Sequence, residues 1–194
     1  MTRPEFIAGN YLFAEDLLTE QYYRQQRLRR HNRFLHDWGV VCGLQVVPGQ
    51  DLSRPWAVLV CPGYAIACCG DEIEVLAPAV LDIREHLWSR GQGRAAYIGI
   101  RYAEVEVRPI PVPSPECGCQ DTTCAPSRIQ DAYQLDVLWQ DPDTEQANAP
   151  DLCERPIVPC PDCTNHTHVI LACVILPASE GDPLTFAHIH DLRC

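Results

Sequence analysis

The apolar positions change their spacing once, near Trp38-Gly39. Before that point they recur at helical intervals. At 100° per residue, Leu17, Leu28 and Leu35 project along one line with Tyr23, Phe34 and Trp38 beside it. This predicts a helix from about Ala14 to Asp37, facing a core with that side. Glu15 and Asp16 suit its positive N-terminal end, and Gly39 supplies a stop. Arg24, Arg27 and His31 fall within the apolar arc, so the core-facing side carries polar groups that need partners, inside the fold or at a subunit seam. Arg29 and Arg33 point away and are the residues expected to contact a partner. Residues 1–13 are expected to form an extended arm ending in Asn10-Tyr11-Leu12-Phe13.

Beyond Gly39 the period falls to two. Strands are predicted at Val40–Val47, Trp56–Cys61, Tyr64–Cys68 and Glu72–Leu76, the last two around a turn at Gly70-Asp71. Ala79–Trp88 reads as a strand followed by a helical turn. Ala95–Val107 alternates strongly, with Ile98, Ile100 and Tyr102 on one face. Pro109, Pro111 and Pro113 predict a polyproline-like exit into a cysteine-bearing loop, Ser114–Pro126. Further strands are predicted at Asp131–Trp139, His168–Leu176 and Leu184–Leu192. Between the first two lie an acidic stretch, Asp141–Glu154, and a second cysteine loop, Cys153–Cys163. The expected class is α+β, mainly β: a long N-terminal helix packed on an antiparallel sheet or small sandwich, in one domain. Its parts are an arm (1–13), a helix (14–38), a β-rich core (39–110), a cysteine-bearing insertion stapled by metal or disulfides (111–165) and C-terminal core strands (166–194).

Composition narrows the partners. The 194 residues carry a formal net charge of −11, and every basic residue is arginine. An acidic balance disfavours broad binding to nucleic acid or anionic membrane and favours protein partners. No apolar run approaches the ~20 residues of a membrane span. The N-terminus has no secretory pattern, so synthesis in the cytosol is expected.

Twelve cysteines change the picture more. In a reducing compartment disulfides are rare, and metal ligation leads. Cys160-Pro-Asp-Cys163 is a C-x-x-C knuckle, and Cys119 and Cys124 of the other loop complete a tetrahedral set for a structural Zn2+. Cys117, Cys153 and His166 are substitutes, and disulfides are the alternative. Cys42, Cys61, Cys68, Cys69 and Cys173 lie in or beside strands and read as buried thiols. The pairs His166/His168 and His188/His190 have chelating spacing if each lies on a strand, but read first as hydrogen-bonded or solvent-facing. There is no phosphate-binding glycine loop, no G-x-S-x-G and no H-E-x-x-H, so no enzyme is expected.

Arg27-Leu28 through His31-Asn32-Arg33, Leu35-His36 and Trp38-Gly39-Val40-Val41-Cys42-Gly43-Leu44 resembles an R-L-x-x-H-N-R-x-L-H-x-W-G-V-V-C-G-L module. This module is associated with proteins encoded near contractile injection systems, the phage-tail-like particles of bacteria. Pro62-Gly63-Tyr64-Ala65-Ile66 with Gly70, Arg101-Tyr102-Ala103-Glu104 and Pro126-Ser127-Arg128-Ile129 are similar to the same group. Asp37 stands where glycine is more usual. The resemblance implies a non-enzymatic structural subunit at the baseplate, at its periphery or as an adaptor. Its partners would be baseplate, sheath or tube proteins and further copies of itself. The particle would be assembled in the cytoplasm, with release from the cell a further option. Rival readings are a metal-dependent enzyme using the Cys/His loops and a nucleic-acid adaptor acting through the arginine-rich helix.

Overall fold

The computed structural model describes residues 1–49, 54–89, 94–113, 122–140, 163, 167–179 and 182–193. The helix, α1, runs from Ala14 to Leu35. The Asp16 carboxylate accepts the Phe13 N–H and closes its first turn. It ends two residues before the expected limit, because Asp37 turns into the left-handed region (φ 63°). Such a position favours glycine and tolerates Asp or Asn. This is the physical content of the departure from the module at Asp37, whose carboxylate also accepts the Trp38 N–H.

Ten strands follow among the described residues: β1 (Gly39–Gly43), β2 (Val46–Pro48), β3 (Ala57–Val60), β4 (Gly63–Ile66), β5 (Glu72–Val75), β6 (Ala79–Asp82), β7 (Ala95–Pro113), β8 (Thr122–Leu138), β9 (Val169–Ile175) and β10 (Ile189–Asp191). They form three antiparallel sheets, in the orders β1-β4-β5, β2-β3-β6 and β10-β9-β7-β8. The single strand expected over Val40–Val47 is two strands in two sheets. Leu44, between them, has φ 57° and is fully buried, so the chain kinks there and drives its side chain into the core. Leu44, Val58, Ile73, Ile98, Ile100 and Leu171 come from all three sheets or their junctions and share one core cluster.

Two expectations are corrected. The class is mainly β, with one α-helix, and that helix is not packed on a sheet or sandwich. Only Asn32 of α1 is buried, and the line meant for the core is in solvent, with Leu17 49%, Leu28 50% and Leu35 69% exposed. The core cluster is built from residues of the three sheets and their junctions, and no residue of α1 belongs to it. The stretch expected to leave the core as a proline-rich coil is also a strand. β7 continues to Pro113, paired with β8 from Tyr97 onward except at Arg108, while β9 covers it only from Ala95 to Ile100. Beyond Ile100 the pair is a two-stranded ribbon roughly 40 Å long at ~3.3 Å per residue. Pro109, Pro111 and Pro113 alternate along it opposite Pro126, Cys124 and Thr122. At that period their missing N–H groups all fall on one edge, which blunts the edge without breaking the ladder.

Candidate assembly surface and its anchor

The helix is held to the body by its last turns. Arg29 Nε donates to Asp71 Oδ1. Asn32 Nδ2 donates to the Gly70 carbonyl at 3.0 Å and reaches Glu72 Oε1 at 3.2 Å. Gly70 adopts φ +93°, and a Cβ there would stand 2.1 Å from the Arg29 carbonyl oxygen. The turn between β4 and β5 therefore has to present bare backbone to the helix. The pieces of the module are thus one structural unit. Asn32 of its H-N-R seizes the Gly70 turn, and β1, carrying G-V-V-C-G, pairs with β4, carrying G-Y-A-I. Gly63 belongs to the same unit, since a Cβ on it would lie 2.4 Å from the Cys42 carbonyl oxygen.

The anchor takes up one of the two arginines expected to face a partner. Arg29, expected to point outward, is paired to the body, and Arg33 is on the same half-buried side. Arg24, expected to be partnered inside the fold or at a subunit seam, pairs with Glu20 of the same helix. Gly70→Ala is expected to lower stability by more than about 1 kcal/mol, because the new Cβ meets backbone and φ is positive. Asn32→Ala is expected to cost about 1–3 kcal/mol by leaving buried polar groups unpaired. Urea unfolding reads both, and limited proteolysis within α1 should quicken. Unchanged cleavage would mean that the helix is held elsewhere.

The surface left uncovered is extensive. Besides Leu17, Leu28 and Leu35, the arm exposes Phe6, Ile7, Tyr11, Leu12 and Phe13, and the helix exposes Leu18, Tyr22 and Phe34. Large exposed apolar patches on a soluble chain are a feature of interaction surfaces, and the arm and α1 are the part of this chain richest in exposed large hydrophobics.

The expected metal set fares differently. Cys163 is bonded to Cys68, which joins the second cysteine loop to the end of β4. That bond removes Cys163 from any Zn2+ ligand set and removes Cys68 from the buried free thiols. Cys124 is an exposed free thiol on β8, opposite Pro111. Cys117, Cys119, Cys153, Cys160 and His166 lie outside the described residues. Among the described residues no group of three or more His, Cys, Asp or Glu side chains is placed to hold a metal ion. Cys42 and Cys69 are exposed thiols and Cys61 and Cys173 half-buried ones, so none is a fully buried thiol as expected. Burial and then the Asp71 carboxylate push the Cys69 thiol pKa up. That keeps it protonated and a poor nucleophile toward the neighbouring disulfide.

One polar cluster was missed by sequence reasoning. His168 Nε2 lies 3.0 Å from Asp136 Oδ2, and Arg101 Nε donates to the same oxygen at 2.9 Å. An ionised carboxylate only accepts, so Nε2 carries a proton, while Nδ1 lies 2.8 Å from the Thr167 hydroxyl oxygen. The His168 ring lies against the place where a Gly99 side chain would be. Burial alone would raise the Asp136 pKa, but hydrogen bonds from His168, Arg101 and Gln134 together hold it below the ordinary value. A carboxylate so neutralised is a weak proton acceptor, which suits a structural clamp better than a general base. With the folded pKa below the unfolded one, its stabilisation is fully present above the ordinary carboxylate range and is lost as pH falls below that range, through the lowered folded pKa. Asp136→Asn should therefore flatten the acid limb of a urea-midpoint-against-pH curve; an unaltered slope would remove Asp136 from the account. The other histidine pair is not a strand pair, because His188 ends a 3-10 turn and accepts the Thr185 N–H.

The chain matches no family model and no curated protein. Among solved structures it is similar to a chain of the type VI secretion system TssK-TssF-TssG baseplate subcomplex. The TM-score is 0.46 at 11% identity, over 92% of this chain and 57% of that one. This chain thus spans little more than half of that neighbour's length, and no functional statement rests on the likeness. No described helix is long and apolar enough to cross a membrane.

Proposed function

We propose that this chain is a non-enzymatic structural subunit of a phage-tail-like contractile injection particle, at the baseplate, at its periphery or as an adaptor. The observation that carries an assembly role is the uncovered apolar face of α1 and the arm, held rigidly at one end by Asn32 and Arg29. The β7–β8 ribbon, which β9 does not cover beyond Ile100, is a second candidate element, since two-stranded ribbons are marginal in water on their own. The kind of particle is supported by the module over residues 27–44, whose residues build the helix anchor and the β1–β4 pair. For the cysteine loops we propose covalent stapling in place of a four-cysteine Zn2+ site, because Cys163 is already bonded to Cys68. Disulfides persist outside reducing compartments, which suits a particle that leaves the cell.

The test is co-sedimentation with sheath, tube and baseplate proteins in cells making the particle, with wild type beside a variant lacking residues 1–13. Wild type is expected in the particle fraction and the truncated chain in the soluble one. A wild-type chain that never sediments with the particle would sink the reading. Metal analysis of the purified chain is expected to find well under one Zn2+ per chain; a stoichiometric ion would restore the metal site.

A further inference from the structure

Two histidines of the module take no part in the helix anchor. His31 lies in the last turns of α1 and His36 caps it, and both are exposed. Five residues apart on a continuing helix, they would point roughly 140° away from each other. The helix instead stops at Leu35. His36 leaves it at φ −114° and ψ −11°, with its N–H still bonded to the Asn32 carbonyl at 3.0 Å. That departure brings the rings together, with centres 4.9 Å apart and Nε2 facing Nε2 at 3.0 Å. As neutral imidazoles they share one hydrogen bond, in which one Nε2–H donates to the other Nε2. Asn32, next to His31, is pinned to the Gly70 carbonyl, so this end of the helix is fixed to the body.

We propose that His31 and His36 form a two-nitrogen chelating site for a divalent transition metal of the class that takes imidazoles at a right angle, Cu2+ or Ni2+. Imidazole suits both ions, and square-planar or tetragonal geometry is theirs. With metal–nitrogen bonds of roughly 2.0–2.1 Å, nitrogens 3.0 Å apart subtend about 95° at the ion. A tetrahedral Zn2+ would need them roughly 3.3–3.4 Å apart. The ion takes the place of the shared proton. Both Nε2 lone pairs bind it, and the displaced proton moves to Nδ1 of the same ring, so both rings stay neutral. Water fills the remaining positions. The pair stands at the negative end of α1, where the last carbonyls favour a cation. The nearby arginines oppose it, but Arg29 is held by Asp71, Arg27 lies over the Tyr23 ring and Arg33 over the Phe34 ring. Arg30 beside His31 remains as an opposing charge, screened by salt at this exposed position. The site is separate from the cysteine loops and does not depend on how they are closed.

The experiment is titration of the full chain with Cu2+, without reductant and with free thiols alkylated so that no cysteine competes. Calorimetry reads the affinity and electron paramagnetic resonance reads the ligands. Wild type is expected to bind one Cu2+ with a Kd of order 1–10 μM, with hyperfine splitting from two imidazole nitrogens. His31→Ala and His36→Ala should each weaken binding about tenfold or more and leave the circular dichroism spectrum unchanged, because both rings are exposed. His190→Ala, at another exposed histidine, should bind as wild type does. A wild-type chain that binds no Cu2+ up to about 100 μM would overturn the proposal. Binding equal to wild type in both variants would overturn it as well, since the ion would then sit elsewhere. So would a loss confined to one variant, because a chelate needs both rings. None of these outcomes bears on co-sedimentation with the particle.

Discussion

Trp56→Ala is expected to cost about 3–5 kcal/mol, close to the largest loss a single core truncation produces. Trp56 is 1% exposed and is the largest fully buried side chain. It enters β3 and joins parts of the chain that are far apart in sequence. Its indole N–H donates to the Asp182 carbonyl at 3.1 Å, its own carbonyl accepts the Ile83 N–H, and the Arg84 guanidinium lies 5.4 Å from its ring centre. Removal empties the cavity and also strands an acceptor near the C-terminal segment. Against a typical total of about 5–15 kcal/mol, such a loss leaves a marginal domain. Urea unfolding reads the effect. Trp56→Phe should recover most of it, since it refills the space and gives up only the hydrogen bond, worth about 1 kcal/mol. If Trp56→Ala cost under about 1 kcal/mol, the three sheets would not share one core, because surface positions behave that way and core ones do not.

Cys163→Ser is expected to have an effect of similar size through the unfolded state. The Cys68–Cys163 bond spans 95 residues, and closing a loop of that length stabilises by roughly 4–5 kcal/mol in the chain-entropy account. The decisive comparison is between the variant and reduced wild type. Both should melt together, well below oxidised wild type, and added reductant should not move the variant. A wild type indifferent to reductant would mean that the bond does not form. A variant that melts below reduced wild type would mean that Cys163 has another role, metal ligation included. Cys69 is adjacent, but its thiol is kept protonated by burial and by Asp71, so it is not expected to replace Cys68 in the bond.

The helix was legible because its period and its acidic first turn are local properties, and helix formation depends on local spacing. Its facing was not legible. An apolar line at Leu17, Leu28 and Leu35 says only that something covers it, and a single chain cannot show whether that is its own core or another molecule. The hairpin at Gly70-Asp71 was legible from turn chemistry, whereas its use as the docking site for Asn32 depends on two segments 38 residues apart. The prolines of β7 were misread because proline excludes a strand only where its N–H is needed, and that depends on which edge the neighbour occupies. The Asp136–His168–Arg101 cluster left no local signal, since its members come from three strands or their ends and meet only through sheet register.

By itself, then, the sequence determined the elements that rest on local periodicity and turn geometry: one long helix, short strands between glycine turns, and a module carrying the same residues that later form a unit. Only the tertiary structure decided what those elements face. Three sheets share one core cluster, Asn32 and Gly70 lock one end of the helix to them, and Cys163 is drawn to Cys68. The physical reason is that burial is a property of the whole molecule. The core formed from the three sheets without α1, and Leu17, Leu28 and Leu35 of the helix's apolar line stayed in solvent.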